Sequence, residues 1–347
     1  MNFKKFAAPI AAIISVLCFG FTNGAFAADW QFYGAASVNT FWSDSDLNDT
    51  TQFSLDLNAA DIGAEVSVSD SLMGAFEYTT EDGNVSLTHL YGEWNFGSGS
   101  LLVGQAEVPA FLGISEQAYD GDRALEGLGE FNPGERAVIR LAFGDFEIAA
   151  VEPDIQVDTA GGLDDSLTEV KIPAIHAKYT FSGDTLNAGI AGAYASFDYD
   201  DESVTSYVAL VSVDATVNRF RMAVQAWFGQ NVGNIAPQDT RGDFEDGYAI
   251  YEGGQIEDVD AWGAALVVQM VLNDTFSFEA GYGYVDLDYG DAALYGSDDD
   301  KVQTYYLNMP ITLAEGVQIV PEIGVIDYYE TGQDEITYGG AKWQIEF

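Results

Sequence analysis

Apolar and polar residues alternate along most of the chain in short segments that are separated by turn residues. In the first segment one face begins and ends with an aromatic residue, and its positions are Trp30, Phe32, Gly34, Ala36, Val38 and Trp42. The other face is polar and includes Gln31, Tyr33, Ser37 and Asn39. A period of two residues predicts a β-strand. An apolar face with aromatic residues at both ends is typical of strands that cross a membrane in a barrel.

Seven tight turns divide the alternating segments into pairs. They lie at Ser69-Asp70-Ser71, Gly97-Ser98-Gly99, Gly144-Asp145, Ser182-Gly183-Asp184, Val217-Asn218, Asn273-Asp274 and Ala314-Glu315-Gly316. Seven hairpin turns and two chain ends predict about 16 strands, and a strand of ~9–11 residues crosses a bilayer when it is tilted. The predicted fold is therefore all-β, a transmembrane antiparallel up-and-down barrel. Between the tight turns the connections are long and acidic, an asymmetry that is typical of outer-membrane barrels.

The alternation stops between Gln105 and Glu135. Turn residues interrupt this stretch at Pro109, Asp120-Gly121, Gly127, Gly129 and Pro133-Gly134. Asp122–Leu128 predicts one short helix with an aspartate cap. A loop of this length inside a compact β domain usually has a function. Two interpretations remain open for this stretch, a long surface loop and a loop that folds into a wide barrel and narrows its opening.

The first 27 residues predict a secretory signal peptide. Lys4 and Lys5 form its charged start, an apolar run extends over residues 6–21, and Ala25-Phe26-Ala27 fits a cleavage site. The run is shorter than the ~20 residues that a membrane span needs. The single cysteine of the sequence, Cys18, lies inside this run, so residues 28–347 contain no cysteine. We expect these residues to form a single barrel domain that is held together without disulfides.

Residues 28–347 are strongly acidic. They contain 10 Lys and Arg residues against 56 Asp and Glu residues, which gives a formal charge of −46. This balance excludes nucleic acid as a partner, because binding to phosphates requires basic patches. It favours a surface that attracts cations. Since a soluble halophilic protein can carry a similar charge, the charge alone does not decide the class of protein.

The chain ends on an alternating apolar face. Trp343, Ile345 and the terminal Phe347 share this face. With the signal peptide, the seven turns and one long loop after the fifth strand, the chain resembles the general porins of Gram-negative outer membranes. The resemblance implies a 16-stranded barrel that forms a homotrimer, a third long loop that folds inward, and a location in the outer membrane after export through the periplasm. It also implies that the insertion machinery recognises the strand ending in Phe347.

Charged residues near the long loop are the candidates for a pore constriction. The loop offers Glu107, Glu116, Asp120, Asp122, Glu126 and Glu130, and the period of two places Arg136, Arg140, Lys178 and Arg221 on faces that point into the barrel. An acidic loop facing a basic wall predicts a transverse field that sorts ions. The alternative is ordinary lumen polarity with local salt bridges.

The acidic connections also suggest weak binding of divalent cations. The candidates are Asp198, Asp200, Asp201, Glu202, Asp298, Asp299 and Asp300, but none of these stretches has the 12-residue pattern of an EF-hand. Loosely bound Ca²⁺ that bridges to lipopolysaccharide of the outer leaflet is one interpretation, and a solvated acidic loop is the other. We expect no further cofactor.

The sequence offers little chemistry for catalysis. Residues 28–347 contain two histidines, His89 and His176, and no motif of a serine hydrolase or a zinc helix. We therefore expect no enzyme, but a passive diffusion channel for small hydrophilic solutes and ions with a modest preference for cations. One alternative is an outer-membrane structural or adhesin barrel whose acidic loops bind a partner or divalent cations while its lumen is plugged. Another is a soluble exported β protein. Phe347 and the apolar faces argue against the soluble protein.

Overall fold

The computed structural model describes residues 28–46, 50–81, 84–238, 246–290, 299–329 and 335–347. The predicted signal peptide, residues 1–27, lies outside the described residues, and so does Asp298. No helix in the described part of the chain is long and apolar enough to span a membrane.

Strands account for most of the described residues. They are β1 (Asp29–Ser45), β2 (Thr50–Ser69), β3 (Leu72–Glu81), β4 (Asn84–Asn95), β5 (Ser100–Glu107), β6 (Glu135–Phe143), β7 (Phe146–Val151), β8 (Val157–Asp158), β9 (Thr168–Val170), β10 (Ala174–Ser182), β11 (Leu186–Tyr199), β12 (Glu202–Val217), β13 (Phe220–Gln230), β14 (Ala249–Glu252), β15 (Gln255–Glu257), β16 (Asp260–Val271), β17 (Ser277–Asp288), β18 (Asp299–Asn308), β19 (Ile311–Ala314), β20 (Val317–Tyr328) and β21 (Glu335–Glu346). Within the described ranges, one α-helical segment, α1, covers Tyr119–Asp122.

The large sheet closes into a barrel. Neighbouring strand positions pair antiparallel in the order of the chain, and β21 pairs with β1. The short strands β9 and β10 share one position beside β11, and β18 and β19 share one position beside β20. The barrel therefore has 16 strand positions, which confirms the predicted fold. All seven predicted tight turns connect neighbouring strands at one end, the short-turn rim, and the opposite end is the long-loop rim.

The two faces of the wall differ as the alternation predicts. Large apolar side chains on the outer face are exposed, and Phe32, Phe228 and Ile323 keep 73%, 61% and 61% of their surface. Hydrogen-bonding strands satisfy the backbone within the closed sheet, so such a wall presents only side chains to its surroundings. An apolar outer surface of this kind is suited to hydrocarbon rather than to water.

The chain ends meet at the seam where β1 and β21 pair. Phe347 and Gly34 exchange two backbone hydrogen bonds, each of 2.9 Å. A Cβ atom at Gly34 would lie 2.8 Å from a ring carbon of Phe347, so the absence of a side chain at Gly34 makes room for the terminal ring. The last residue of the chain thus completes the pairing that closes the barrel.

The connections at the long-loop rim vary in length. A small three-stranded sheet of β8, β14 and β15 lies there, and its residues Val157 and Ala249 pack on Phe197, Tyr199 and Val204. By contrast, the predicted long connection with Asp198, Asp200, Asp201 and Glu202 is wrong, because β11 and β12 are joined by only two residues. Asp200 and Asp201 have φ angles of 50° and 67°, which form a tight hairpin.

Candidate functional site: a loop inside the barrel

The segment between β5 and β6, residues 108–134, is called here the inserted loop. It hydrogen-bonds to inward-facing side chains of β1, β13, β17, β18, β20 and β21. Most of its buried apolar residues belong to the same hydrophobic cluster as wall residues, and those in the loop are Ala110, Ile114, Ala118, Leu125, Leu128 and Phe131. The loop therefore folds into the barrel, and the interpretation as a surface loop is wrong.

The backbone of the inserted loop is mostly irregular. The predicted helix Asp122–Leu128 is wrong, since α1 covers only four residues and ends at Asp122. Asp122 and Ala124 have φ angles of 62° and 55°, and Gly127 has a φ angle of 69°. These left-handed conformations do not continue a right-handed helix.

Two buried carboxylates of the wall, the carboxylate anchors Glu279 and Glu322, bind the backbone of the inserted loop. Glu322 accepts hydrogen bonds from the amides of Ala118 and Tyr119 at 2.7 and 3.0 Å. Glu279 accepts one from the amide of Glu116 at 2.8 Å and one from the Tyr306 hydroxyl at 2.5 Å. A buried amide that loses its acceptor is costly, so these hydrogen bonds fix this run of the loop against β17 and β20.

Neutral side chains add further contacts along the same run. The Ser115 hydroxyl lies 2.8 Å from the Tyr306 hydroxyl, and the Gln117 amide donates to the Tyr338 hydroxyl at 2.6 Å. Asn308 donates to the carbonyl of Glu116 at 3.0 Å. Because these partners come from β18 and β21, the run is held across several neighbouring strands.

The returning run of the inserted loop packs on β13 and β17. Trp227 donates to the carbonyl of Gly129 at 3.0 Å, and the Gln225 side chain accepts from the amide of Phe131 at 2.7 Å. The backbone touches the wall most closely at Gly283, where an added Cβ atom would lie 1.8 Å from the Leu128 carbonyl oxygen. Only glycine fits this contact between the loop and β17.

The tip of the inserted loop binds both strands of the seam. Asn39 of β1 donates to the carbonyl of Ala118 at 3.0 Å. Lys342 of β21 donates to both carboxylate oxygens of Asp122 at 2.8 and 2.7 Å. Asn39 and Lys342 are direct partners in the register of the two strands, so the tip spans the place where the barrel closes.

Glu130 holds the inserted loop together from within. It is 1% exposed, and its carboxylate accepts from the amides of Ile114 and Ser115 at 2.9 and 3.3 Å. Burial raises the pKa of Glu130 to about 8, and the charges of Glu126 and Glu116 act in the same direction. Glu130 therefore does not face the open lumen, although the sequence places it among the candidates for the constriction.

We expect the inserted loop to be more stably folded at pH 5 than at pH 9. The pKa of Glu130 in the folded protein lies above the ordinary value of 4.5 for a glutamate, so its contribution to stability is full below pH 4.5 and is lost as the pH rises through about 8. Hydrogen exchange of the loop amides, corrected for the intrinsic rates, measures this difference. Glu130→Gln should reduce it, and an unchanged pH dependence in this variant would contradict the assignment to Glu130.

The other acidic candidates of the loop differ in their surroundings. Glu116 and Asp120 are exposed. Asp122 pairs with Lys342, and Glu126 accepts a hydrogen bond from Asn132. Glu107 lies at the end of β5, and its carbonyl oxygen is 3.5 Å from the Arg140 guanidinium. The structure thus brings Glu116 and Asp120 to the surface of the loop, whereas Asp122 is engaged by the wall.

The basic candidates point into the barrel and have acidic neighbours on the wall or at the rim. Arg140 and Lys178 lie 3.5 and 3.8 Å from the same carboxylate, Glu147. Arg221 lies 2.7 Å from Asp214 and 4.0 Å from Glu279. Arg136 lies 3.5 Å from Asp154 and donates to the carbonyl of Ile235 at 2.9 Å. These contacts fit the interpretation of local salt bridges. Because the basic charges are partly balanced by neighbouring carboxylates, the contacts weaken the predicted transverse electric field between the loop and the wall.

Carboxylates on the wall beyond the loop were not among the predicted site residues. Glu65, Glu77 and Glu93 point inward from β2, β3 and β4, and their strands are direct neighbours. Glu77 accepts from the Tyr33 hydroxyl at 2.9 Å and lies 3.1 Å from His89. The alternation of these strands already places the three carboxylates on the polar face, so the signal was present in the sequence.

The candidate cation ligands are engaged in other contacts or are dispersed. Asp198 pairs with Lys171, and Asp200 accepts a hydrogen bond from Tyr251. Within the described ranges, no group of three or more His, Cys, Asp or Glu side chains is placed to hold a metal ion. The expectation of loosely bound Ca²⁺ stays a prediction.

The architecture is similar to that of solved outer-membrane proteins. No protein-family model matches the chain, and no curated protein sequence matches it. The outer-membrane channel DcaP of Acinetobacter baumannii is similar in structure, with a TM-score of 0.73 and 17% identity over 94% of this chain and 99% of that chain. The anion-selective porin from Comamonas acidovorans has a TM-score of 0.65 and 10% identity over 92% and 100%.

OmpT, an outer-membrane protein of Vibrio cholerae solved in a trimer form, has a TM-score of 0.57 and 15% identity over 92% of this chain and 99% of that chain. Identities of this size support a common fold and do not transfer activity or selectivity. The closed barrel of 16 strands is shared architecture. The chain therefore has the fold of the outer-membrane porins.

Proposed function

We propose that the protein is a passive, water-filled diffusion channel for small hydrophilic solutes and ions in the outer membrane of a Gram-negative bacterium. One observation carries the proposal: the inserted loop is held against one side of the lumen, from β13 around to β1, by the carboxylate anchors and their neighbours. A loop fixed to one side narrows a barrel without filling it. The fold shared with DcaP and the Comamonas porin supports this function.

Side chains on the other side of the lumen support an open path. Glu65 is exposed, and Glu77, Glu93, Arg140 and Lys178 keep part of their surface accessible. Charged groups that point into a closed barrel need water or partners, because burying an unpaired charge is costly. Water between this wall and the inserted loop satisfies that requirement.

We propose a modest preference for cations. Glu65, Glu77 and Glu93 face the path from the wall, and Glu116 and Asp120 are exposed on the inserted loop. The basic residues Arg140 and Lys178 share Glu147, so part of their charge is balanced locally. Screening limits the reach of the rim carboxylates to roughly 8 Å at physiological salt. The carboxylates beside the path therefore matter more than the total charge of the chain.

Neutralising Glu65 and Glu93 together should lower the ratio of K⁺ to Cl⁻ permeability by about twofold. A unit charge ~8 Å from a passing ion in water contributes about 0.5 kcal/mol, and each lost charge removes part of the attraction. The reversal potential under a KCl gradient in a planar bilayer measures the ratio for Glu65→Gln/Glu93→Gln.

The matched control is Asp145→Asn/Asp274→Asn, which removes two charges from exposed turns at the short-turn rim. The control should leave the reversal potential close to that of the unchanged protein. Absence of any conductance would contradict the channel itself. Equal shifts in both double variants would contradict the selective role of the wall carboxylates.

A structural or adhesin barrel is the second candidate function. The small sheet of β8, β14 and β15 favours it, because its packing on Phe197 and Tyr199 gives the long-loop rim an ordered surface. Conductance separates the two candidates, since a plugged barrel carries no steady current. A catalytic role has no comparable support, and we propose that the protein is not an enzyme.

We propose that the barrel assembles as a homotrimer, as the trimer form of OmpT suggests. Small residues on the outer face of β1 suit contacts between barrels. Of the two such residues, Ala36 is exposed, whereas the Phe347 ring covers Gly34. We also propose that outer-membrane lipid and lipopolysaccharide contact the barrel and that the insertion machinery recognises the strand ending in Phe347. The mass of the protein extracted in mild detergent tests the assembly, and a monomer alone would contradict it.

A further inference from the structure

A polar cavity of about 290 Å³ lies between the tip of the inserted loop and the inner faces of β1 and β2. Five neutral polar side chains, which can donate and accept hydrogen bonds, line it, namely Asn39, Ser43, Gln52, Ser54 and Asn58. Charges of both signs complete the lining, with Asp56 from β2 and Asp120 and Arg123 from the loop. The cavity therefore offers many donors and acceptors with little net charge.

Two of the lining amides are buried and incompletely satisfied. Asn39 and Asn58 are each 4% exposed. Within the described part of the chain, the Asn39 carbonyl oxygen and the Asn58 amide nitrogen have no hydrogen-bond partner. Buried polar atoms are normally paired, and each exception calls for an explanation. One unpaired acceptor and one unpaired donor beside the same cavity fit a group that both donates and accepts, which is the property of a hydroxyl.

The cavity has a rigid floor. The Tyr119 ring stacks on Tyr338 with ring centroids 3.8 Å apart and an angle of 8° between the planes, and Phe41 contacts both rings edge-on. Glu322 holds the amides of Ala118 and Tyr119 from behind. A site that is already fixed in place binds a small ligand without a large cost of ordering.

We propose that this cavity is a binding subsite for a small neutral polyhydroxylated solute, such as a monosaccharide or a polyol, on its way through the channel. Hydroxyls of the solute pair with the amides of Asn39 and Asn58, and Arg123 and Asp56 contribute charged donors and acceptors to neighbouring hydroxyls. The Tyr119 ring supplies an apolar surface for the C–H groups of a sugar. The proposal rests on the proposed channel and gives it a class of solute.

Glucose serves as the test compound in single-channel recordings, with each current corrected for the conductivity of the same bulk solution. We expect glucose to reduce the corrected current in a saturable way. Asn58→Ala and Arg123→Ala should each raise the half-blocking concentration about tenfold, since a tenfold change matches the loss of one good hydrogen bond. Gln52→Ala, at the exposed edge of the cavity, should raise it by a smaller factor of about threefold.

The matched control is Asn187→Ala, because Asn187 points into the barrel from β11 near the short-turn rim, far from the cavity. Glucose should block this variant at the same concentration as it blocks the unchanged protein. Conductance in KCl without glucose reports the channel separately, so its loss contradicts the proposed function rather than the subsite. A corrected current that does not saturate, an unaltered response in all three cavity variants, or stronger block by zwitterionic alanine than by glucose overturns the proposal.

Discussion

Replacing both carboxylate anchors by alanine, Glu279→Ala/Glu322→Ala, should release the inserted loop and lower the mean single-channel conductance by at least about half. Three loop amides, those of Glu116, Ala118 and Tyr119, lose their acceptors. Leaving one buried donor unpaired costs about 1–3 kcal/mol. The summed cost for the three amides exceeds the free energy that the remaining contacts of the loop can restore. The loop already touches the wall, and every new position that it reaches therefore lies further into the path.

Two measurements check the expected release. Current recordings should show a lower and noisier open level, and hydrogen exchange of the amides in residues 114–119 should accelerate about 100-fold or more. Asp327→Ala is the matched control, because Asp327 lies on the same strand as Glu322 and bonds to Gln303 on the outer face. A steady current of normal size in the double variant would show that the anchors do not hold the loop.

Gly283→Val should displace the returning run of the inserted loop. The added Cβ atom would fall 1.8 Å from the Leu128 carbonyl oxygen, and backbone cannot yield as a flexible side chain does. We expect a loss of about 3 kcal/mol or more in the stability of the loop, as in other overpacked sites. The hydrogen bond from Trp227 to Gly129 should break with it.

The indole nitrogen of Trp227 reports the result for Gly283→Val. Its NMR signal or its fluorescence should shift to that of a tryptophan without this hydrogen bond, and the conductance should change as well. Gly92→Ala is the control, because a Cβ atom there would meet no atom closer than 3.8 Å. An undisturbed Trp227 in Gly283→Val would contradict the close contact between loop and wall.

The wall of the barrel follows from local patterns in the sequence. A period of two residues assigns each side chain to one face, and glycine, asparagine and aspartate mark the hairpins. For example, Arg140, Glu147 and Lys178 point inward as the alternation predicts, and their contacts follow from the pairing of β6, β7 and β10. Local rules suffice here because neighbouring strands are also neighbours along the chain.

The path of the inserted loop does not follow from local patterns. Its conformation depends on partners such as Glu322 and Lys342, which are more than 200 positions away along the chain. For the same reason, distant contacts override the local signals for a helix at Asp122–Leu128. Glu130, a candidate for the constriction, instead binds amides within the loop. The sequence therefore predicts the acidic composition of the loop, but it does not predict which way each carboxylate side chain points.

The position of the loop tip over the seam has a consequence for the order of folding. Asn39 and Lys342 are separated by almost the whole barrel sequence, yet they pair with each other and both bind residues 118–122. Contacts of such high sequence separation carry a large loop-closure entropy and form late. The tip can be fully seated only after the first and last strands have met. Seating of the loop and closure of the ring are therefore one cooperative step, in which the loop stabilises the newly formed seam.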